Sequence, residues 1–280
     1  MDAVNNSSSP VARLIPVIIL FTGLIALYYL YQYLFGYRTM NSYELITKTQ
    51  DANIDKPIIV TSDKLPIIYE GGEFTLSTWI FISNWSVRQG YNKSIINVGG
   101  SNFDTIRVYL SGNKPKLHIR LQTKGKGETP VTGQASTAPM SVLDQSLDRA
   151  SDNGVFNVRV MDSGLLDSAP LCDLPEVDLQ RWVNLTVAVN GKTVDVYLDG
   201  KLVRSCVLPY FYKVDSSYSA TLLGYSGFGG QISTTTMYDV ALNPEMVYKN
   251  YIAGPEPITG FMSWLSSIFK IGINVSVDSK

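Results

Sequence analysis

The sequence predicts an all-β domain of two packed antiparallel sheets, with helix confined to the two ends of the chain. Three observations point there. Residues 181–209, RWVNLTVAVNGKTVDVYLDGKLVRSCVLP, read as an antiparallel meander specified by its own turns. The chain carries 17 Tyr and 22 Gly among many Ser, Thr and Asn, a composition that suits strand surfaces joined by frequent turns. Finally, 280 residues with 45% hydrophobic side chains can bury a large core, and a sandwich of roughly 200 residues fits as one domain. The net charge of −1, with no Lys/Arg stripe interleaved with aromatics, gives no electrostatic footprint for nucleic acid.

Taken in order, residues 1–13 are a polar arm without core residues. From Leu14 to Tyr37 no charge appears for 24 residues, enough for a helix of roughly 36 Å against a hydrocarbon core of roughly 30 Å. This stretch predicts an uncleaved transmembrane helix displaying Leu14, Ile18, Phe21 and Leu24, with Tyr28 and Tyr37 in an aromatic belt toward its C-terminal end. It is too long, and its leading segment too weakly basic, for a cleaved signal peptide. Arg13 on one side against Arg38 and Lys48 on the other leaves the membrane orientation open. Residues 38–56 lack a sustained period and read as a polar stalk.

The sandwich is expected over residues 57–254. Pro57–Val60 and Leu65–Tyr69 read as its first strands and Phe74–Ser83 as the first strong core strand; Ser94–Val98 and Thr105–Leu110 continue the sheet. Lys116–Gln122, KLHIRLQ, alternates Leu117, Ile119 and Leu121 with His118 and Arg120, so its polar face is expected to be exposed. Thr123–Asp152 breaks the pattern as an insertion with a turn of helix at Ser141–Ala150, either a contact site or a solvated loop. Val155–Met161 returns to strand, and 162–180 is a loop. In the meander, Val183, Leu185, Val187 and Val189 alternate with Trp182, Asn184, Thr186 and Ala188, and Asn190-Gly191 and Asp199-Gly200 supply turns with positive φ. Gln231–Met237 is the closing strand and Asn243–Tyr251 a helical turn. Residues 255–280 follow a Gly-Pro-Glu-Pro break. They hold an amphipathic segment with Phe261, Trp264, Leu265, Ile268 and Phe269 at helical spacing, expected to be an interaction helix rather than part of the core.

The run W-x-N-x-T-x-x-x-N-G-x-x-x-x-Y-x-D-G, here Trp182, Asn184, Thr186, Asn190, Gly191, Tyr197, Asp199 and Gly200, resembles the laminin-G and concanavalin-A-like jelly-roll superfamily. The strand FTLSTWI at 74–80, the stretch Leu222-Leu223-Gly224 and Phe228-Gly229-Gly230-Gln231-Ile232, and the run Tyr238-Asp239-Val240-Ala241-Leu242 resemble its early core strand and its closing strand and turn. The resemblance implies a jelly-roll sandwich and leaves function wide, since such sandwiches include lectins, adhesion modules, glycosidases and structural virion parts.

Most chemistry is excluded at this level. The single histidine, His118, has no acid or nucleophile beside it in sequence. Retaining glycosidases of this class resemble one another in a Glu-x-Asp-x-x-Glu strand that pairs carboxylates on one face; here Glu70 and Glu73 flank a Gly-Gly turn, and Glu176 and Asp178 lie in a loop. No phosphate-binding glycine pattern occurs, so no enzyme and no cofactor is expected. Laminin-G-like domains often hold calcium at the rim, which makes Asp162, Asp167, Asp173 and Asp178 weak candidate ligands. Cys172 and Cys206 are the only cysteines and form either a disulfide or two buried thiols. Asn84, Asn92 and Asn184 head glycosylation sequons, of which Asn184, in mid-strand, is a poor acceptor.

Two functions from different classes follow. The anchor, stalk, laminin-G-like domain and missing catalytic set resemble the membrane-associated minor capsid proteins of large icosahedral DNA viruses, such as those infecting algae. That resemblance implies a single-pass protein tying an inner membrane to capsid subunits. The alternative is a lectin-like or adhesion module on a cell surface or lumenal face, with a glycan as partner.

Overall fold

The computed structural model describes residues 19–30, 40–124, 152–159 and 172–256. Two compact units divide the chain, Met1–Met40 and Asn41–Lys280. In the first, residues 19–30 are helical (α1), with Phe21, Leu24 and Tyr28 exposed. Among the described residues no helix is long and apolar enough to cross a membrane. Leu14, Ile18 and Tyr37 of the expected span lie outside the described residues, as do Phe261, Trp264, Leu265, Ile268 and Phe269 of the expected C-terminal helix.

The second unit is an all-β, two-sheet antiparallel sandwich. Its strands are β1 (Ser42–Ile46), β2 (Gln50–Asp51), β3 (Ile58–Thr61), β4 (Glu73–Asn84), β5 (Lys93–Gly99), β6 (Asp104–Leu110), β7 (Leu117–Leu121), β8 (Trp182–Asn190), β9 (Thr193–Leu198), β10 (Lys201–Val207), β11 (Ser219–Leu222) and β12 (Gly229–Tyr238). Two short helices accompany them, α2 (Asp152–Phe156) and α3 (Pro244–Ala253). One sheet runs β1-β12-β4-β8-β9-β10, with β2 also on β12; the other runs β3-β11-β5-β6-β7.

Period-two alternation builds the core. Phe74, Leu76, Ile80 and Ile82 of β4, Val183 to Val189 at every second position of β8, and Val194 and Val196 of β9 are buried against Val98, Ile106, Val108, Leu110, Leu117 and Ile119 of the facing sheet. The meander forms as its sequence dictates, β4 pairing with β8, β8 with β9 and β9 with β10. Its first turn differs in detail: Asn190 pairs with Thr193, so Gly191 and Lys192 are the central residues and only Gly191 has positive φ (61°), the pattern of a II′ rather than a I′ turn. Asp199 and Gly200 (φ 50° and 74°) both sit in the left-handed region, as a I′ turn requires.

Several local expectations are corrected. The stretch read as a stalk, 38–56, contains β1 and β2, and the sandwich begins at Ser42 rather than at residue 57. β1 pairs with β12 and buries Leu45 and Ile46; a five-residue strand whose ladder partner lies almost 200 residues away has little local signature. Leu65–Tyr69 is a loop, not a strand, and residues 152–156 are helical where the strand Val155–Met161 was expected. The C-terminal turn of helix is well capped: Asn243 Oδ1 accepts from Met246 N at 2.9 Å, and Gly254 ends α3 at φ 83°. α3 packs on the sheet, with Val247 buried and Tyr251 stacked on Trp79 at 5.7 Å between ring centroids.

Candidate functional site

Because Ile106, Val108 and Leu110 of β6 point into the core, Thr105, Arg107 and Tyr109 lie on the opposite, outer face of the five-stranded sheet, and His118, Arg120 and Gln122 do the same next door. Sequence reasoning expects this polar face to meet water. Instead Arg107 and Thr105 are fully buried, and His118, Arg120 and Gln122 are no more than 7% exposed. The physical reason is a second covering layer. Phe156 of α2, itself fully buried, stacks on Tyr225 at 4.7 Å, meets Tyr109 edge-on at 5.6 Å and lies 5.4 Å from the Arg107 guanidinium. Arg88 Nη2 and Asn92 Nδ2 hold this helix by donating to the carbonyls of Phe156 (2.5 Å) and Val155 (3.0 Å).

The hub of the face is Asp173. Its carboxylate accepts from His118 Nδ1 at 2.8 Å, Arg120 Nη2 at 2.9 Å, the Ile119 backbone N–H at 3.1 Å and, more closely, Arg120 Nη1, with Lys116 Nζ at 3.7 Å. Its backbone is pinned as well. Cys172 is disulfide-bonded to Cys206 of β10. Leu174 exchanges two 3.0 Å backbone hydrogen bonds with Leu117, and Arg204 Nη1 donates to the Asp173 carbonyl at 2.7 Å. A separate pair, Arg107 with Asp104 at 2.6 Å, is buried on both sides.

The electrostatics follow from this arrangement. Burial alone would raise the Asp173 carboxyl, but hydrogen bonds from His118 and Arg120 and the Arg120 charge outweigh it and hold the group well below the usual carboxylate range. Burial pushes the Tyr109 hydroxyl up. At the margin, Lys93 is fully buried, 4.2 Å over the Trp85 ring, and burial followed by the neighbouring Arg88 charge lowers it to about 8.

His118 therefore has an acid beside it after all, 55 residues away in sequence. Arginine only donates and carboxylate only accepts, so an Nδ1 placed 2.8 Å from Asp173 and 3.2 Å from Arg120 Nη2 acts as donor to Asp173. The carboxylate is kept ionised by these hydrogen bonds and the Arg120 charge, so near neutral pH it can accept or orient a proton but not deliver one.

The other sequence candidates do not converge. Glu70 pairs with Lys124 at the end of the sandwich where β4 begins, whereas Asp178 pairs with Arg181 at the end where β8 begins. Of the candidate calcium ligands, Asp173 and Asp178 are engaged by arginines, and Asp162 and Asp167 lie outside the described residues. Among the described residues no group of three or more His, Cys, Asp or Glu side chains could hold a metal. Asn184 is fully buried, so its sequon is closed in the folded domain. Four buried oxygens on or beside the polar face, Ser94 Oγ, Asn97 Oδ1, Thr105 Oγ1 and Gln122 Oε1, have no hydrogen-bond partner among the described residues.

Sequence reasoning missed Asp104 and Arg107, and took Asp173 only as a weak candidate calcium ligand. The available signal was charge inside strand patterns: Asp104 and Arg107 three residues apart in one strand, and Asp173 next to a cysteine able to carry it to the sheet.

No family profile matches the chain, and no curated protein matches it. Among solved structures, a botulinum neurotoxin serotype D binding domain is similar at 14% identity and a TM-score of 0.45, over 76% of this chain and 46% of that one. The serotype D ligand binding domain in complex with N-acetylneuraminic acid gives 15% and 0.43, over 77% and 43%. Trypanosoma rangeli sialidase gives 12% and 0.36, over 65% and 23%. The chain thus spans less than half the length of each of these proteins, and likenesses this distant say nothing of site or activity.

Proposed function

We propose that the chain is a non-enzymatic, membrane-anchored structural protein, in which residues 14–37 hold an all-β contact module at a bilayer and the module ties that membrane to an overlying protein layer. The observation that carries the non-enzymatic part is the Asp173 cluster: the most strongly perturbed carboxylate described is locked ionised from side chain and backbone alike. The minor-capsid resemblance supplies the assembly context, an inner virion membrane facing capsid subunits. A second reading is a lectin-like module that binds a glycan through loops at the sandwich rim. The test is fractionation of the native source beside a glycan array probed with the detergent-solubilised full chain. Co-sedimentation with assembled particles after detergent removes the membrane supports the structural reading. Free protein in that fraction together with saturable glycan binding overturns it.

A further inference from the structure

The end of the sandwich where the chain enters from its N-terminal segment carries an apolar rim. β4 begins there at Glu73 opposite Asn190, and β1 begins there at Ser42 opposite Tyr238. Asn41, tied to Asp239 by two 3.0 Å hydrogen bonds, lines one hollow with Lys64, Leu65, Pro66 and Ile67. From Ile67 the chain passes Tyr69 to the Gly71-Gly72 turn, where the Phe211 ring sits so close that a Cβ on Gly71 would lie 3.1 Å from it. Ile67, Tyr69 and Phe211 are 77%, 63% and 47% exposed.

These side chains are displayed by a clamped loop. Leu65 and Ile68 are buried; the Tyr218 hydroxyl donates to the Pro66 carbonyl at 2.8 Å and accepts from Ile68 N at 3.3 Å. The Tyr212 hydroxyl donates to the Tyr69 carbonyl at 2.8 Å, and Lys124 N donates to the Phe211 carbonyl at 3.0 Å. Holding large apolar groups in water is unfavourable, and contiguous exposed ones mark a contact surface.

We propose that this rim seats in the interfacial layer of a lipid bilayer, the one that holds the N-terminal segment; the proposal rests on reading residues 14–37 as membrane-spanning. The apolar run ends at Tyr37 and Asn41 comes four residues later. At no more than about 3.6 Å per residue, the chain keeps Asn41 within about 14 Å of the end of that run. Ile67 lines the same hollow as Asn41. The chemistry suits headgroup depth, where amphipathic rings settle and lysines extend toward the phosphates: Lys64 lies beside Ile67, and Lys192 Nζ stands 5.1 Å over the Phe211 ring. Lys124 is paired with Glu70, and Asp63 immediately precedes Lys64, so apolar insertion rather than net charge drives the contact.

The test uses the full chain in phosphatidylcholine vesicles. Both native cysteines are in the disulfide, so Ile67→Cys adds one site for an environment-sensitive fluorophore. Leu179→Cys is the matched control, an exposed apolar position (41%) at the opposite end, beside Gln180, whose N–H binds the Ile82 carbonyl. The probe at 67 is expected to be blue-shifted, quenched by nitroxide on lipid acyl chains and protected several-fold from aqueous iodide relative to the probe at 179, with no change in high salt. Equal iodide quenching at both positions overturns the proposal. Alkaline extraction of the same vesicles reports separately on the anchor. Retention in the membrane with an unprotected 67 probe sinks the rim contact alone, whereas release by alkali with a protected probe sinks the anchor and leaves the rim contact standing.

Discussion

Replacing Asp173 by Asn removes the charge around which the outer face of the five-stranded sheet is built. The carboxylate takes hydrogen bonds from His118, both terminal nitrogens of Arg120 and the Ile119 N–H, and Arg120 is 5% exposed. The Asn side chain offers one acceptor oxygen and no charge, leaving a buried guanidinium uncompensated; removing one partner of such a pair typically destabilises by about 3–5 kcal/mol. For a domain of this size that lowers the thermal midpoint by about 6–20 °C. Near-UV circular dichroism of the detergent-solubilised full chain follows it. Asp178→Asn, at an exposed pair with Arg181, is the control and should lose under about 1 kcal/mol. The pH dependence has a defined sign. Asp173 titrates lower when folded than the ordinary value of about 3.9, so its stabilisation is complete above that value and is lost as pH falls below it. Wild type and variant should therefore draw together progressively as pH falls below about 4, and meet only below the folded-state pKa. A midpoint for Asp173→Asn no lower than for Asp178→Asn refutes the hub.

Three more predictions accompany it. Cys172→Ser with Cys206→Ser opens a bridge spanning 34 residues and should destabilise by about 3–4 kcal/mol in urea titration; combined with Asp173→Asn, the loss should be less than additive, because both changes release the same segment. Lys93 has a lowered pKa of about 8, so the unfolded chain binds more protons between about pH 8 and 10.5 and stability rises with pH across that window. Lys93→Met should abolish that rise without lowering the midpoint at pH 7, as denaturant titration at several pH values will show. Deleting residues 258–280 should leave the midpoint nearly unchanged, since the core cluster among the described residues closes from Leu45 to Met237; a drop beyond about 8 °C, over about 2 kcal/mol, would place that segment in the core.

The sheets were legible where neighbouring residues decide the structure. Val183 to Val189 against Val194 and Val196, with turns at Gly191 and Asp199-Gly200, state both the alternation and the reversal, and the fold delivers them as β8, β9 and β10. β1 was not legible, because Leu45 and Ile46 acquire meaning only against β12, whose register with them is a matter of chain topology. The cluster at Asp173 was hidden for a further reason. Alternation tells which side of a strand a residue takes, and equating the non-core side with water holds only for a two-layer protein. Here Phe156 and residues 172–174 lie over that side, so His118, Arg120 and Arg107 became interior polar groups needing partners, and a disulfide brings the main one.

That extra layer also bears on where contact can occur. With α3 against one outer face, where Trp79 is only 5% exposed, and α2 with the Asp173 segment against the other, neither sheet offers a broad open face at these places. Exposed apolar side chains include Ile67, Tyr69 and Phe211 at the chain-entry end and Leu202, Val203 and Val207 along the edge strand β10. An edge strand also presents unpaired backbone groups. β10 is the edge stapled through Cys206 to the Asp173 hub, so the bridge that stiffens the polar face also fixes the strand most open to a neighbouring chain. Loosening of that edge should consequently accompany reduction of the disulfide, seen as faster amide exchange at Leu202 and Val203, while the distant edge strand β3 keeps its protection.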